Sequence, residues 1–335
     1  MAHKLTTRKD GTVEMAYTGD KPWHGLGNPV PNAMTSKEAI EAASMDWNVI
    51  TTPVYINLNG EHLQVPDKAA IIREDTQEVF NILSDRYTPV QNVEAFQFFD
   101  AVVAAGSAIY HTVGSLDGGR RVWIAAKLPT TLKVTNQDLI EKYILLSNSH
   151  DGTKALTMQL TPIRVVCNNT LSVALKEKTT RFYGRHTPNI LSRAKNAQEL
   201  LGLSEAYFQL FMDGVTALAA KKMKESDMQA MLVQLFKLEE HKVDERKMRA
   251  ETEYSVAKVR ELFESGKGND LKGVKGTAWA AYNAVTEFVD SYRLVGKGMG
   301  SKDSTTLATA DRRVDASWFG KGADLRQSAW DYLLN

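Results

Sequence analysis

Residues 142–185 read KYILLSNSHDGTKALTMQLTPIRVVCNNTLSVALKEKTTRFYGR, and the fold turns on how this stretch divides. Residues 143–148 are a short apolar run, and His150-Asp151-Gly152-Thr153 follows with an Asp-Gly pair suited to the positive backbone angles of a tight turn. The partner run then alternates, with Leu156, Met158 and Leu160 on one side and Thr157 and Gln159 on the other, which predicts a two-stranded hairpin. From Thr161-Pro162 the period lengthens. Ile163, Val166, Cys167, Leu171, Ala174 and Leu175 share one helical face, with Thr161 as the cap and Pro162 at the first position. That helix is expected to deliver Lys176, Lys178, Arg181, Arg185, Arg193 and Lys195, opposed only by Glu177 and interleaved with Phe182, Tyr183 and His186.

The chain has 335 residues, enough for one large or two ordinary domains with real cores. Hydrophobic residues make up 43% and charged residues 24%, as in soluble globular proteins, and the net charge of +1 means that any basic surface is local. No run approaches the roughly 20 apolar residues that span a bilayer, and residues 1–15 carry no apolar signal segment, so a cytoplasmic protein without a membrane partner is expected. The single cysteine, Cys167, rules out an internal disulfide and multi-cysteine zinc sites, and its apolar neighbours predict a packing role.

In chain order, residues 1–20 are polar without a period and read as a loose arm, residues 21–190 as a core domain and residues 191–335 as a helical region. Pro22-Trp23-His24-Gly25-Leu26-Gly27 is a rigid turn around one large aromatic. Thr35 to Glu38 has capping-box spacing. Residues 47–58 and 62–65 flank Asn59-Gly60 as a hairpin, and residues 69–73 read as a further strand. Asn92 precedes an amphipathic helix with Val93, Phe96, Phe99, Val102 and Val103 inward. Residues 109–116 and 120–127 flank Asp117-Gly118-Gly119; in the second strand Arg121, Trp123 and Lys127 share a cationic face opposite Val122, Ile124 and Ala126. After Lys195 helical spacing dominates, over residues 200–220, 228–238, 248–263, from Thr277, and over 323–334, with glycine- and lysine-rich links at 265–276 and 296–306 read as flexible. This order predicts an α+β fold: an antiparallel hairpin sheet packed with helices, then a mainly helical C-terminal region.

The chemistry-bearing patterns are mostly absent. Residues 296–302 lack the P-loop order, no Gly-x-Ser-x-Gly or His-Glu-x-x-His occurs, and the acidic residues do not cluster as a metal nuclease requires. No catalytic residue, metal or cofactor is therefore assigned. Nucleic acid is the expected partner, since cations track phosphates and aromatics stack on bases. Arg121, Trp123, Lys127, Arg164, Lys176, Lys178, Arg181, Tyr183, Arg185, Arg193 and Lys195 are the candidate contacts.

Four motifs resemble one family: residues 22–27, Arg164 to Leu171, Gly276-Thr277-Ala278-Trp279 with Asn283 to Asp290, and Trp318-Phe319-Gly320. They are similar to phage/plasmid-like proteins built on a domain of unknown function (domain of unknown function 932), which implies mobile-element biology and hands over no catalytic residues. The hairpin-then-helix order is also similar, at the level of fold, to phage single-strand annealing proteins that assemble as rings or filaments. The expectation is a non-enzymatic, homo-oligomeric single-stranded DNA-binding protein that aids recombination or replication, with Trp23 and Trp330 as subunit contacts. The alternative is a protein-binding regulatory or anti-defence factor.

Overall fold

The structure is a computed structural model and describes residues 5–19, 27–30, 35–105, 108–164, 169–170, 181–187, 204–238, 245–293 and 321–335. The Asp-Gly turn forms as expected, with Gly152 at φ +72°. It joins β8 (Leu139–Ser149) to β9 (Leu156–Arg164), paired antiparallel from Ile140↔Arg164 to Ser147↔Thr157. Where a helix was expected, the strand continues. Thr161, Pro162, Ile163 and Arg164 all belong to β9, and the chain returns as β10 (Asn169–Thr170), with Asn169 opposite Arg164. The free edge of β9 is shared by β10 at one end and by β11 (Arg181–Gly184) at the other, the latter facing Leu156 to Gln159. On that edge Pro162 falls between the two pairings, so neither β10 nor β11 requires the N–H that proline lacks, and on the other side it lies opposite Lys142 of β8. The rest of the expected helix, with Cys167, Asn168 and Leu171, lies outside the described residues.

The full sheet has the order β10-β9-β8-β7-β6-β1-β2, with β1 (Met15–Thr18), β2 (Asn28–Val30), β6 (Ile109–Leu116) and β7 (Arg121–Lys133). All pairs are antiparallel except β1 with β2. On one face α1 (Ser36–Ala42) and α2 (Asn92–Ala105) cover Val122, Ile124, Ala126, Ile144, Leu146, Leu156, Met158 and Leu160. Helix α1 starts with the expected capping box, in which Glu38 accepts from the Thr35 N–H at 2.7 Å. In α2, Phe96 and Phe99 are fully buried, whereas Val93 is exposed.

The other face is covered too, and this corrects the reading of the N-terminus. Residues 5–19 are not loose: Leu5 bridges to Leu116, Thr7 to Val13, and β1 pairs with both β2 and β6. Met15, Leu116, Trp123, Ala125, Tyr143 and Leu145 form a second apolar layer, flanked by Leu5, Val13 and Ile163. The ring of Trp123 crosses Gly114, where a Cβ would come within 2.3 Å of Cη2.

A smaller sheet, β3-β4-β5, consists of β3 (Val49–Leu58), β4 (Glu61–Arg73) and β5 (Glu78–Ser84). The Asn59-Gly60 turn has φ of 55° and 91°, as a tight hairpin requires. Residues 69–73 complete β4 and are not a separate strand. At the end of β4, Arg73 is buried and uses all five N–H donors: on both Glu14 oxygens, on both Asp75 oxygens and on the Gly118 carbonyl. The Trp47 ring lies under its guanidinium at 4.2 Å. Burial alone would raise the Asp75 carboxyl, but the hydrogen bonds and charge of Arg73 outweigh it and hold Asp75 below the usual carboxylate range.

The chain then becomes helical: α3 (Ser204–Ala220), α4 (Glu225–Leu235), α5 (Glu245–Ser265), α6 (Ala278–Glu287) and α7 (Lys321–Leu334), with α6 running on into one π turn (Phe288–Tyr292). Thr277 caps α6 by accepting from the Ala280 N–H at 3.2 Å. Trp279, Tyr282, Val285 and Val289 point inward. Trp330 does not serve as a surface contact: it is 2% exposed and stacks on Phe211 with ring centroids 5.3 Å apart. The link at 265–276 is packed, with Asn269 donating to the Leu262 and Ala280 carbonyls and Val274 fully buried. Helix α3 belongs to both cores, placing Tyr207 and Phe208 under the sheet and Phe211, Val215 and Leu218 among the helices. Mixed strands and helices followed by helices make the fold α+β.

Candidate nucleic-acid interface

Register brings together residues that are far apart in sequence. Trp123 lies opposite Ser147, Ser147 opposite Thr157, and Thr157 opposite Tyr183, so the four form one row across β7, β8, β9 and β11. Directly paired residues share a face, so these side chains line one side of the sheet. The Ser147 and Thr157 hydroxyls meet at 2.7 Å in the middle of the row. In the next row Arg121 faces Ser149, and the turn after β8 adds Thr153 and Lys154. Together they line a cavity of about 340 Å³, with Tyr183 at its mouth, 62% exposed.

The sequence-derived contacts divide accordingly. Arg121, Trp123 and Tyr183 converge on the cavity, and Arg185 is exposed just beyond β11. Trp123 is 7% exposed within the second apolar layer, so it forms floor and offers no stacking face. Lys127 is not a free cation, because it pairs with Glu141, which also accepts from the Tyr143 hydroxyl at 2.8 Å. Arg164 lies seven residues along β9 from Thr157, about 23 Å at strand rise, and is not part of this cavity. The backbone of Arg181 pairs with Gln159, one row beyond the cavity. Lys176, Lys178, Arg193 and Lys195 lie outside the described residues, as does Trp23.

Sequence reasoning missed Lys154, Ser147, Ser149, Thr153 and Thr157, which reach the site only through strand pairing and the turn. The signal available was the turn itself, where Asp151 accepts from the Ser149 hydroxyl, from the Thr153 N–H at 3.0 Å and from the Thr153 hydroxyl at 2.6 Å. Burial would raise Asp151, but these bonds and the charge of Arg121 hold it below the usual carboxylate range. The turn is thereby fixed and Lys154 is set at the rim.

Behind the cavity wall is a buried polar layer. His186 Nε2 donates to Asn148 Oδ1 at 2.7 Å, Asn148 donates to the Val90 carbonyl, and the Tyr87 hydroxyl donates to the Ser149 carbonyl at 3.1 Å. His150 Nε2 donates to Asn92 Oδ1 at 3.0 Å, its ring wedged between Trp47 and Phe80. Burial pushes His150 down to about 3 and His186 down to about 4, so both are neutral at pH 7. An unfolded chain would protonate both near 6.5, so the folded state loses stability as pH falls from there towards 4, and above 6.5 the two histidines contribute no slope. The denaturant midpoint is therefore expected to fall between pH 7 and pH 5, and His186→Gln should make that fall shallower. A midpoint independent of pH over this range would contradict the neutral-histidine assignment.

More than half of the chain, residues 79–318, matches the family model of a domain of unknown function, DUF932, and the chain belongs to that family. No curated protein and no solved structure matches it. No helix among the described residues is long and apolar enough to cross a membrane.

Proposed function

We propose that the protein binds single-stranded DNA and serves recombination or replication of a phage or plasmid, acting as a homo-oligomer. The observation that carries this reading is the cavity row, in which an exposed Tyr183, two cations and a line of hydroxyls share one concave strip. An aromatic face stacks on any base, Arg121 and Lys154 supply phosphate contacts, and Ser147, Thr153 and Thr157 supply neutral hydrogen bonds. The volume suits one nucleotide unit better than a duplex, whose bases are already stacked. The hairpin-then-helix likeness to annealing proteins does not support the reading, because β9 continues where that helix was expected.

The test is a fluorescence titration with single- and double-stranded oligonucleotides at low and at near-physiological salt. The expected result is tighter binding of the single strand, weakening as salt rises. No binding at low salt, or equal affinity for the duplex, would overturn the proposal.

A further inference from the structure

The smaller sheet carries an apolar surface that nothing in the chain covers among the described residues. Its inner face, with Val49, Ile71 and Phe80, joins the main core. On the outer face Ile50, Ile72 and Val79 form one row across the three strands, and Ala70 and Ile82 belong to the next. Ile50, Val79 and Ile82 are 38%, 48% and 50% exposed. Alternation along β3 carries the same side through Thr52 and Val54 to Ile56 and Leu58, across a register shift in which Pro53 faces Ala69 and Tyr55 faces Gln64, with Leu63 opposite Ile56. Beyond Tyr55 only the two strands of the β3–β4 hairpin remain, and a two-stranded hairpin is marginal in water unless something packs on it.

Three observations identify the occupant. First, charge: residues 49–67 hold no lysine or arginine and only Glu61 and Asp67 as acids, and Lys68, opposite Ser84, adds a single cation beside the Ala70–Ile82 pair, too little for a phosphate-binding surface. A two-fold contact, which sets like against like, meets little self-repulsion there. Second, the free edge of β3 is interrupted for strand addition. The Gln91 carboxamide takes both the N–H and the carbonyl of Val49 at 2.9 Å, and Pro53, which shares Val49's edge, has no N–H to give. The face is the more continuous surface. Third, area: Ile50, Ile56, Leu58, Leu63, Val79 and Ile82 expose on the order of 500 Å² per copy, so two copies with a polar rim reach roughly the 1,200 Å² of a stable interface.

We infer that this face and the β3–β4 arm bind the same surface of a second copy, forming a two-fold dimer with the two outer faces packed together. This gives the homo-oligomer of the proposed function a surface, and it stands without the nucleic-acid cavity, which lies on the other sheet.

Light scattering across micromolar concentrations should give twice the chain mass of 37.2 kDa. Ile56→Lys on the arm and Ile82→Lys on the base should each halve that mass with circular dichroism unchanged, because both side chains are already half exposed. Tyr183→Ala should remain a dimer, so loss of DNA binding alone would remove the functional reading and leave the interface standing. A wild-type monomer at every concentration overturns the inference. So does a dimer that survives both substitutions, or a monomer that sediments with neutral phosphatidylcholine vesicles through Ile56 and Leu58.

Discussion

Arg73→Ala is expected to cost about 3–5 kcal/mol of stability, the range for removing one partner of a buried ion pair. Glu14 is fully buried and would keep only the Ser115 hydroxyl at hydrogen-bond distance, with Arg8 at 3.7 Å. The loss is large because Arg73 joins three segments: Glu14 beside β1, Asp75 after β4 and the Gly118 turn between β6 and β7. Against a total of about 5–15 kcal/mol for an ordinary domain, the variant should be barely folded at 37 °C. The double variant Glu14→Leu, Arg73→Met should recover much of the loss, since apolar replacement of a whole buried pair is often neutral. Thermal melts of the two single variants and the double variant decide it. An Arg73→Ala protein that melts with the wild type would show that the staple contributes nothing.

For the cavity, Tyr183→Ala should weaken single-stranded DNA binding by about 1–3 kcal/mol, roughly 5- to 150-fold, with the salt dependence unchanged. Arg121→Ala with Lys154→Ala should act in the opposite manner. Two lost phosphate contacts flatten the slope of log affinity against log salt by about 1.4 on a single strand. Tyr183 is mostly exposed and Lys154 sits in a surface turn, so their replacement should leave the fold intact, and circular dichroism checks the variant that also loses Arg121, whose charge acts on Asp151. If both sets leave affinity and slope unchanged, the cavity is not the binding site.

Local chemistry made much of this fold legible. Asn59-Gly60, Asp117-Gly118-Gly119 and Asp151-Gly152 all sit at chain reversals between paired strands, and the Thr35 and Thr277 caps lie at the helix starts where spacing placed them. What stayed hidden depends on partners far away. Thr161 to Arg164 carry apolar residues that suit either period, and the strand prevails because β8 and β10 flank it. Residues 13–17, Val-Glu-Met-Ala-Tyr, show no alternation because a strand covered on both faces has no wet side to alternate with, and Glu14 reads as a surface charge until Arg73, 59 residues on, is placed against it. Alternation correctly grouped Arg121, Trp123 and Lys127 on one face. It could not reveal that the N-terminal segment covers the middle of that face, or that β11 would bring Tyr183 to its open end.

The sharing of α3 between two cores bears on how the protein is made. When synthesis reaches residue 190 every described strand of both sheets exists, yet the main core still lacks Tyr207 and Phe208. At about 5–20 residues per second, the gap lasts roughly 1–4 s. During that interval the apolar layer, though covered by α1 and α2, lacks two of its aromatics. The core of the N-terminal half is therefore complete only once α3 has emerged.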